Sequence, residues 1–223
     1  MYIRFDKSIV FGMILWLAGT TAQSALLTYN LSGPVFPTNA VFTSIGPNAQ
    51  WSAWFTIDTE TADISPDPLL GKYLGVIGEI SISGTTVAAI NSTAFSNTFI
   101  NVGNEWVYVS PDYDFLDFNG DQSNGSPSSP AAIDGYQMTA FEIGIADWSG
   151  TIFNDTSLIG TVNITSSDFQ GSMFQLEFGT YQINGIVNTF TVTAVPLPAA
   201  AWLFGAGILS MLCTARRNNK MSG

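Results

Sequence analysis

The densest run of residues able to do chemistry is PDYDFLDFNGD, which carries Asp112, Asp114, Asp117, Asn119 and Asp121. Oxygen donors at close to alternate positions suit a hard cation such as calcium, bound by carboxylates and carbonyls. Asp117, Asn119 and Asp121 coincide with the first three ligand positions of an EF-hand loop. Its sixth position would be Gln122 where the sharp turn needs Gly, and its twelfth Ser128 where a Glu closes the shell, so the run is not an EF-hand. Two readings stand side by side: a structural calcium site, and an acidic strand end with a turn at Asn119-Gly120. In a strand, Asp112 and Asp114 share one face. A second acidic group, Asp58, Glu60, Asp63 and Asp67, reads as a solvated loop.

Carboxylates could also be catalytic, because glycoside hydrolysis needs only two of them across a sugar. Glu79, Glu105, Glu142 and Glu177 sit on strand-like segments rigid enough for that work, although alternation turns them toward solvent. No pair is singled out, so no catalytic residue is assigned. Four tryptophans lie in the middle of the chain: Trp51, Trp54, Trp106 and Trp148. Aromatic faces stack sugars through apolar contact. If Trp51 points into a core, alternation puts Trp54 on the opposite face, and Trp106, Tyr113 and Trp148 are further candidates for stacking a glycan. The alternative is that these rings belong to the core or stand singly on the surface.

The elements that must position these residues are strands. QWSAWFTID places Trp51, Ala53, Phe55 and Ile57 on one face, and YLGVIGEISISG places Leu74, Val76, Ile80 and Ile82 together. EWVYVS sets Val107 and Val109 against Trp106 and Tyr108. YQMTAFEIGI groups Phe141, Ile143 and Ile145, and SMFQLEFG groups Phe174, Leu176 and Phe178. Period two repeated this often predicts half-buried strands. Asn184-Gly185 offers a two-residue hairpin turn. No helical period and no internal repeat occur between the ends, and Asn119 to Ala132 reads as a long exposed loop. The expectation is an all-β chain: a single antiparallel β-sandwich or jelly-roll domain over 25–194.

Composition narrows the chemistry. Of 223 residues only 10% are charged, against about 25% in an ordinary soluble domain. Between Ala25 and Val195 one base, Lys72, stands against sixteen of the 17 acids, a formal charge of −15. Lys72 itself reads as a surface residue. Such a middle repels nucleic acid, whose binding rests on neutralised phosphates. There is no histidine, and the one cysteine, Cys213, lies near the end. No Ser-His-Asp triad, no Cys-His pair and no His- or Cys-ligated zinc site can be built in the middle. No intrachain disulfide can form, so a core of about 170 residues must hold the fold alone. No Gly-rich phosphate loop or dinucleotide fingerprint is present.

The two ends differ from the middle. Arg4 and Lys7 precede Ser8 to Gly19, a 12-residue run that is almost wholly apolar, and small residues follow. This is the layout of a secretory signal peptide over 1–24. Ala22-Gln23-Ser24 suggests cleavage after Ser24, with Ala22 and Ala25 as alternatives. At the other end Ala199 to Ala215 is a 17-residue apolar stretch followed by Arg216, Arg217 and Lys220. It reads as a transmembrane helix over about 199–215 with a cytoplasmic basic flank.

Val195-Pro196-Leu197-Pro198-Ala199, the apolar run that follows and the Arg216-Arg217 pair together resemble the PEP-CTERM sorting signal, in the variant that begins Val-Pro-Leu-Pro-Ala. The resemblance covers about the last 25 residues, 195–220 and their end. It departs from the parent form in having Leu197 where that form has Glu. It implies an exported protein of a Gram-negative, exopolysaccharide-making bacterium. It also implies a membrane enzyme, an exosortase, that recognises the motif and cleaves near it. The protein would be held in the inner membrane as an intermediate, then released to the cell surface or extracellular matrix; a permanent single-span anchor is the alternative. The prolines make physical sense, since they keep the preceding residues extended. The functional expectation is a non-enzymatic surface or matrix protein associated with exopolysaccharide. A carbohydrate-binding module and a glycoside hydrolase are its rivals, with structural calcium the one cofactor considered.

Overall fold

The period-two alternation of the sequence becomes alternation of burial. A computed structural model describes residues 25–36, 40–90, 98–106, 113–121, 132–158 and 161–196. The predicted signal peptide and the apolar run 199–215 lie outside them. The chain forms strands β1 (Ala25–Phe36), β2 (Gln50–Asp58), β3 (Leu70–Leu74), β4 (Ile77–Ile82), β5 (Thr85–Ile90), β6 (Phe99–Trp106) and β7 (Tyr113–Asp121). There follow β8 (Ala132–Ile133), β9 (Tyr136–Gln137), β10 (Ala140–Asp147), β11 (Gly171–Phe178), β12 (Tyr181–Gly185) and β13 (Thr189–Pro196). A 3-10 turn at Ser166–Asp168 lies between β10 and β11.

The strands join in the order β3-β6-β7-β10-β11-β12-β1-β2-β4-β5, with β13 paired to β1, and β8-β9 form a separate hairpin. Every neighbouring pair along this path is antiparallel. The sheet is curled, and β1 carries it round the bend. Leu26 to Pro34 pair with β2, whereas Val35 and Phe36 pair with β12. The curl lays the β2 end against β7, β10 and β11. Trp51 of β2 stacks on Phe174 of β11 with ring centroids 4.1 Å apart. Phe55 stacks on Phe118 of β7 at 4.6 Å, and Tyr29 of β1 meets the same ring edge-on at 5.1 Å. The core is therefore the inner face of the sheet closed on itself, filled by Trp51, Phe55, Phe118, Phe141, Phe174 and their aliphatic neighbours. Its polar tips are paired. Trp51 Nε1 donates to the Ile186 carbonyl at 3.0 Å, and the Tyr29 hydroxyl pairs with Thr161 Oγ1 at 3.0 Å. Burial pushes the Tyr29 phenol pKa upward against that hydrogen bond.

Three of the sequence-derived faces hold, those of β2, β10 and β11, and with the first the outward turn of Trp54. Three local expectations change. The stretch Tyr73 to Gly84 is two strands rather than one. Gly75, at φ +83°, breaks it, and β3 lies at one edge of the strand order while β4 lies between β2 and β5 toward the other. Leu74 consequently faces outward, 43% exposed, while Val76, Ile80 and Ile82 are buried. Asn184-Gly185 is no hairpin turn but the end of β12, opposite Phe174 and Val35. A Cβ at Gly185 would stand 2.4 Å from the Pro34 carbonyl oxygen, so glycine here serves close strand approach. Asn119-Gly120 likewise continues β7, because both pair with β10. The tight turns lie at Ser83-Gly84 and Asp134-Gly135, where both central residues have positive φ as type I′ turns require.

The two tryptophans three residues apart test the alternation directly. Trp51→Ala is expected to cost about 3–5 kcal/mol in equilibrium urea unfolding. Trp54→Ala, on the outer face, is expected to change stability by less than about 1 kcal/mol.

Candidate functional site

The outer face of β3, β6, β7, β10 and β11 carries a groove of 560 Å³. Alternation selects what lines it. Tyr113, Phe115 and Asp117 come from β7, Asn101 from β6, Glu142, Gly144 and Ala146 from β10, and Met173 from β11. One side is aromatic. Tyr113 lies 5.5 Å from the Trp148 ring and 5.7 Å from Phe115, measured between centroids. Trp148 is 53% exposed and so presents much of its ring to solvent. Glycines let these rings lie on the sheet. A Cβ at Gly103 would stand 2.1 Å from Phe115 Cε1, and one at Gly171 would stand 2.8 Å from Trp148 Cζ2.

The other side is acidic. Asp117 lies opposite Asn101 on β6 and Gly144 on β10, and Glu142 sits one pair further along β10, opposite Asn119. Asn119 Nδ2 donates to Asp117 Oδ2. Asp117 Oδ1 is buried without a partner, as is Asn101 Oδ1. At Gly144 a side chain would stand 3.4 Å from Asp117 Oδ1, and glycine leaves that space open. Burial first, and the neighbouring Glu142 second, push the Asp117 carboxyl up to about 7, while the amides of Asn119 and Asn101 pull it down. Glu142 is raised too, by burial and by Glu177. Glu177 Oε1 accepts from Gln175 Nε2 at 2.8 Å. Lys72, the one base of the region, lies over the Phe99 ring, with Nζ 3.9 Å from the centroid.

The acidic run considered for calcium is split by the pleat. Asp114 faces inward and is fully buried, on the opposite face from Asp117 and Asn119. Both its oxygens are taken by backbone. Oδ1 accepts from Glu105 N at 2.8 Å, and Oδ2 accepts from Ile152 N and Phe153 N at 2.8 Å each. Asp112 and the side chain of Asp121 lie outside the described residues. Among the described residues no group of three His, Cys, Asp or Glu is placed to hold a metal. Asp114 instead works beside Asp147, its cross-strand neighbour. Asp147 accepts from Ser149 N at 2.9 Å, Ser149 Oγ at 2.6 Å and Thr151 N at 3.1 Å. Burial pushes the Asp147 carboxyl up, but these hydrogen bonds prevail and hold it at about 2. Together the two carboxylates clasp the loop after β10, which carries Trp148.

Of the other candidates, Tyr113 and Trp148 meet at the groove. The side chain of Trp106 lies outside the described residues. Trp54, 41% exposed, borders a separate groove of 480 Å³ beside Asn30, Ser52 and Thr189. Glu79 stands opposite Trp54 and accepts from Thr86 Oγ1 at 2.6 Å and Ser81 Oγ at 3.2 Å. Glu105 occupies a register shift in β6, at φ 50°. Of the sorting motif, Val195 and Pro196 end β13, with Val195 48% exposed. Leu197, Pro198, Ala199, Arg216 and Arg217 lie outside the described residues, and no helix among the described residues is long and apolar enough to cross a membrane. Sequence reasoning missed Asn101, Phe115, Gly144 and Met173. Their only signal was an outward position in a strand, which many residues share.

Two outcomes follow from these environments. Asp114→Ala leaves one buried and two part-buried N–H groups without their acceptor and is expected to cost about 2 kcal/mol or more in urea unfolding. Asp117, raised in the folded state, contributes stability below its ordinary value near 3.8 that is lost as pH rises through about 7. Asp117→Asn cannot ionise. Its melting temperature is expected to match the parent near pH 3 and to exceed it by about 10 °C at pH 8, read by circular dichroism.

No family model, curated protein or solved structure matches this chain.

Proposed function

We propose that this is an exported, non-enzymatic surface or matrix protein that holds polysaccharide in the groove on the outer face of β6, β7, β10 and β11. The described region reads as a sandwich of the jelly-roll kind, with one sheet face left for a ligand. The sorting-signal resemblance of 195–220 supports export, passage through the inner membrane and processing by an exosortase-type enzyme. The observation that carries the binding reading is the groove itself. A 560 Å³ trough with Tyr113, Phe115 and Trp148 on one side and Asp117, Glu142 and Asn101 on the other matches a sugar's apolar ring face and hydroxyl rim. Its size suits an extended organic ligand rather than a bare ion. An acidic surface is no obstacle to a neutral or basic glycan, and nucleic acid is disfavoured as a partner.

One observation favours a second reading. Asp117 and Glu142 are neighbouring carboxyls with raised pKa, the combination from which glycosidases draw a general acid and its partner. The two readings part on polymer length.

The test uses the full chain in detergent and the producing cell's own exopolysaccharide. Retention of the protein at unchanged polymer length is expected, and Trp148→Ala should weaken retention about tenfold, since losing one stacking aromatic removes about 1.5 kcal/mol. Shortening of the polymer would establish the hydrolase instead. No retention would leave a surface protein whose partner is another protein.

A further inference from the structure

We infer that the groove selects a glycan containing an amino sugar with an unacetylated, positively charged amine, which is held at the Asp117–Glu142 pair beside the aromatic side. The inference rests on the polysaccharide-binding reading above and names its substrate class.

Three features of the groove point the same way. The first is that its unmet hydrogen-bonding capacity is one-sided. Among the described residues, the buried side-chain atoms without a partner are all oxygens, on Asn101, Asn104 and Asp117, and two of these residues line the groove. An ammonium brings three N–H donors and nothing that needs a donor in return. The second is charge. Asp117 and Glu142 lie on adjacent strands with Glu177 beyond, and the only base between Ala25 and Val195, Lys72, is occupied over the Phe99 ring. Two like charges in a partly dry site repel each other, and a bound cation relieves both at once. An anionic sugar such as a uronic acid would add to that repulsion. The third is the aromatic side. Trp148 and Tyr113 suit the apolar ring face of a sugar and also attract a nearby cation. A hydrated metal ion would make no use of them. Glu142, half-buried at the groove wall, makes the direct contact. Asp117 lies beneath as a desolvated second charge, with Gly144 leaving the space beside its Oδ1 open.

The full chain in detergent is titrated at pH 6.5, where the weakly basic sugar amine still carries its proton, and physiological salt with an oligomer of glucosamine, and with its N-acetylated counterpart of equal length. The expected result is a preference of about tenfold or more for the free amine, the size of one charge-assisted contact. Glu142→Gln should abolish the preference and Asp117→Asn should reduce it severalfold. Both are near-isosteric, and each is checked by thermal melt for a folded state. Equal affinity for the two oligomers overturns the inference while leaving the polysaccharide reading intact. A preference that survives both substitutions comes from the general negative surface, and that also overturns it. A rise in melting temperature with calcium chloride alone that Glu142→Gln removes would assign the pair to a metal instead. Failure to retain either oligomer or the cell's own polysaccharide overturns both readings together.

Discussion

Buried carboxylates with almost no base to meet them are the constraint on which this structure turns. Between Ala25 and Val195 there is one lysine and no histidine or arginine, so an aspartate that enters the interior must be satisfied by N–H and O–H groups. Asp114 and Asp147 do this side by side on β7 and β10. Their acceptors collect backbone N–H groups from Glu105, Ser149, Thr151, Ile152 and Phe153. Each such bond is charge-assisted, and losing an acceptor would strand a buried donor. The carboxylates therefore fix the register shift in β6 and the loop after β10. That loop carries Trp148, whose own N–H donates to Gln170 Oε1 at 2.8 Å. The aromatic side of the groove is held in place by interior charges.

The same chemistry gives the opposite result one layer out. Asp147 collects donors and its pKa falls to about 2. Asp117 is also shielded from water but finds an amide on one oxygen only and a second carboxylate nearby, and its pKa rises to about 7. One aspartate is a structural bolt and the other is a group whose field is unspent. That difference separates the parts of the acidic cluster that hold the fold from the part that lines the groove. Without disulfides, the stacked rings Trp51–Phe174 and Phe55–Phe118 join β2 to β11 and β7 across the curled sheet.

Much of this was legible in advance. Alternation alone identified the inner faces of β2, β10 and β11, because a half-buried strand has no other way to sort its side chains. It also turned Trp54 outward. It failed where glycine carries two meanings. Gly75 breaks a strand at positive φ, whereas Gly185, after an Asn that suggests a turn, allows close packing. The acidic run misled for a related reason. Asp114 and Asp117 are close in sequence but on opposite faces of β7, because an odd offset of three residues turns one inward and the other to the groove. Asn101, Gly144 and Glu142 joined Asp117 only through the register of its pairing with β6 and β10, the strands on either side of β7 in the sheet.

By itself the sequence determined an all-β chain, an interior without disulfide, histidine or thiol chemistry, and an acidic middle between two apolar ends. These follow from composition and from a period that needs no partner to be read. Tertiary structure alone decided which strands became neighbours, and hence that three rings and two carboxyls share one trough. Register is a long-range property. It depends on how the whole inner face packs, and a shift of one residue would have turned Asp117 inward and Asp114 out.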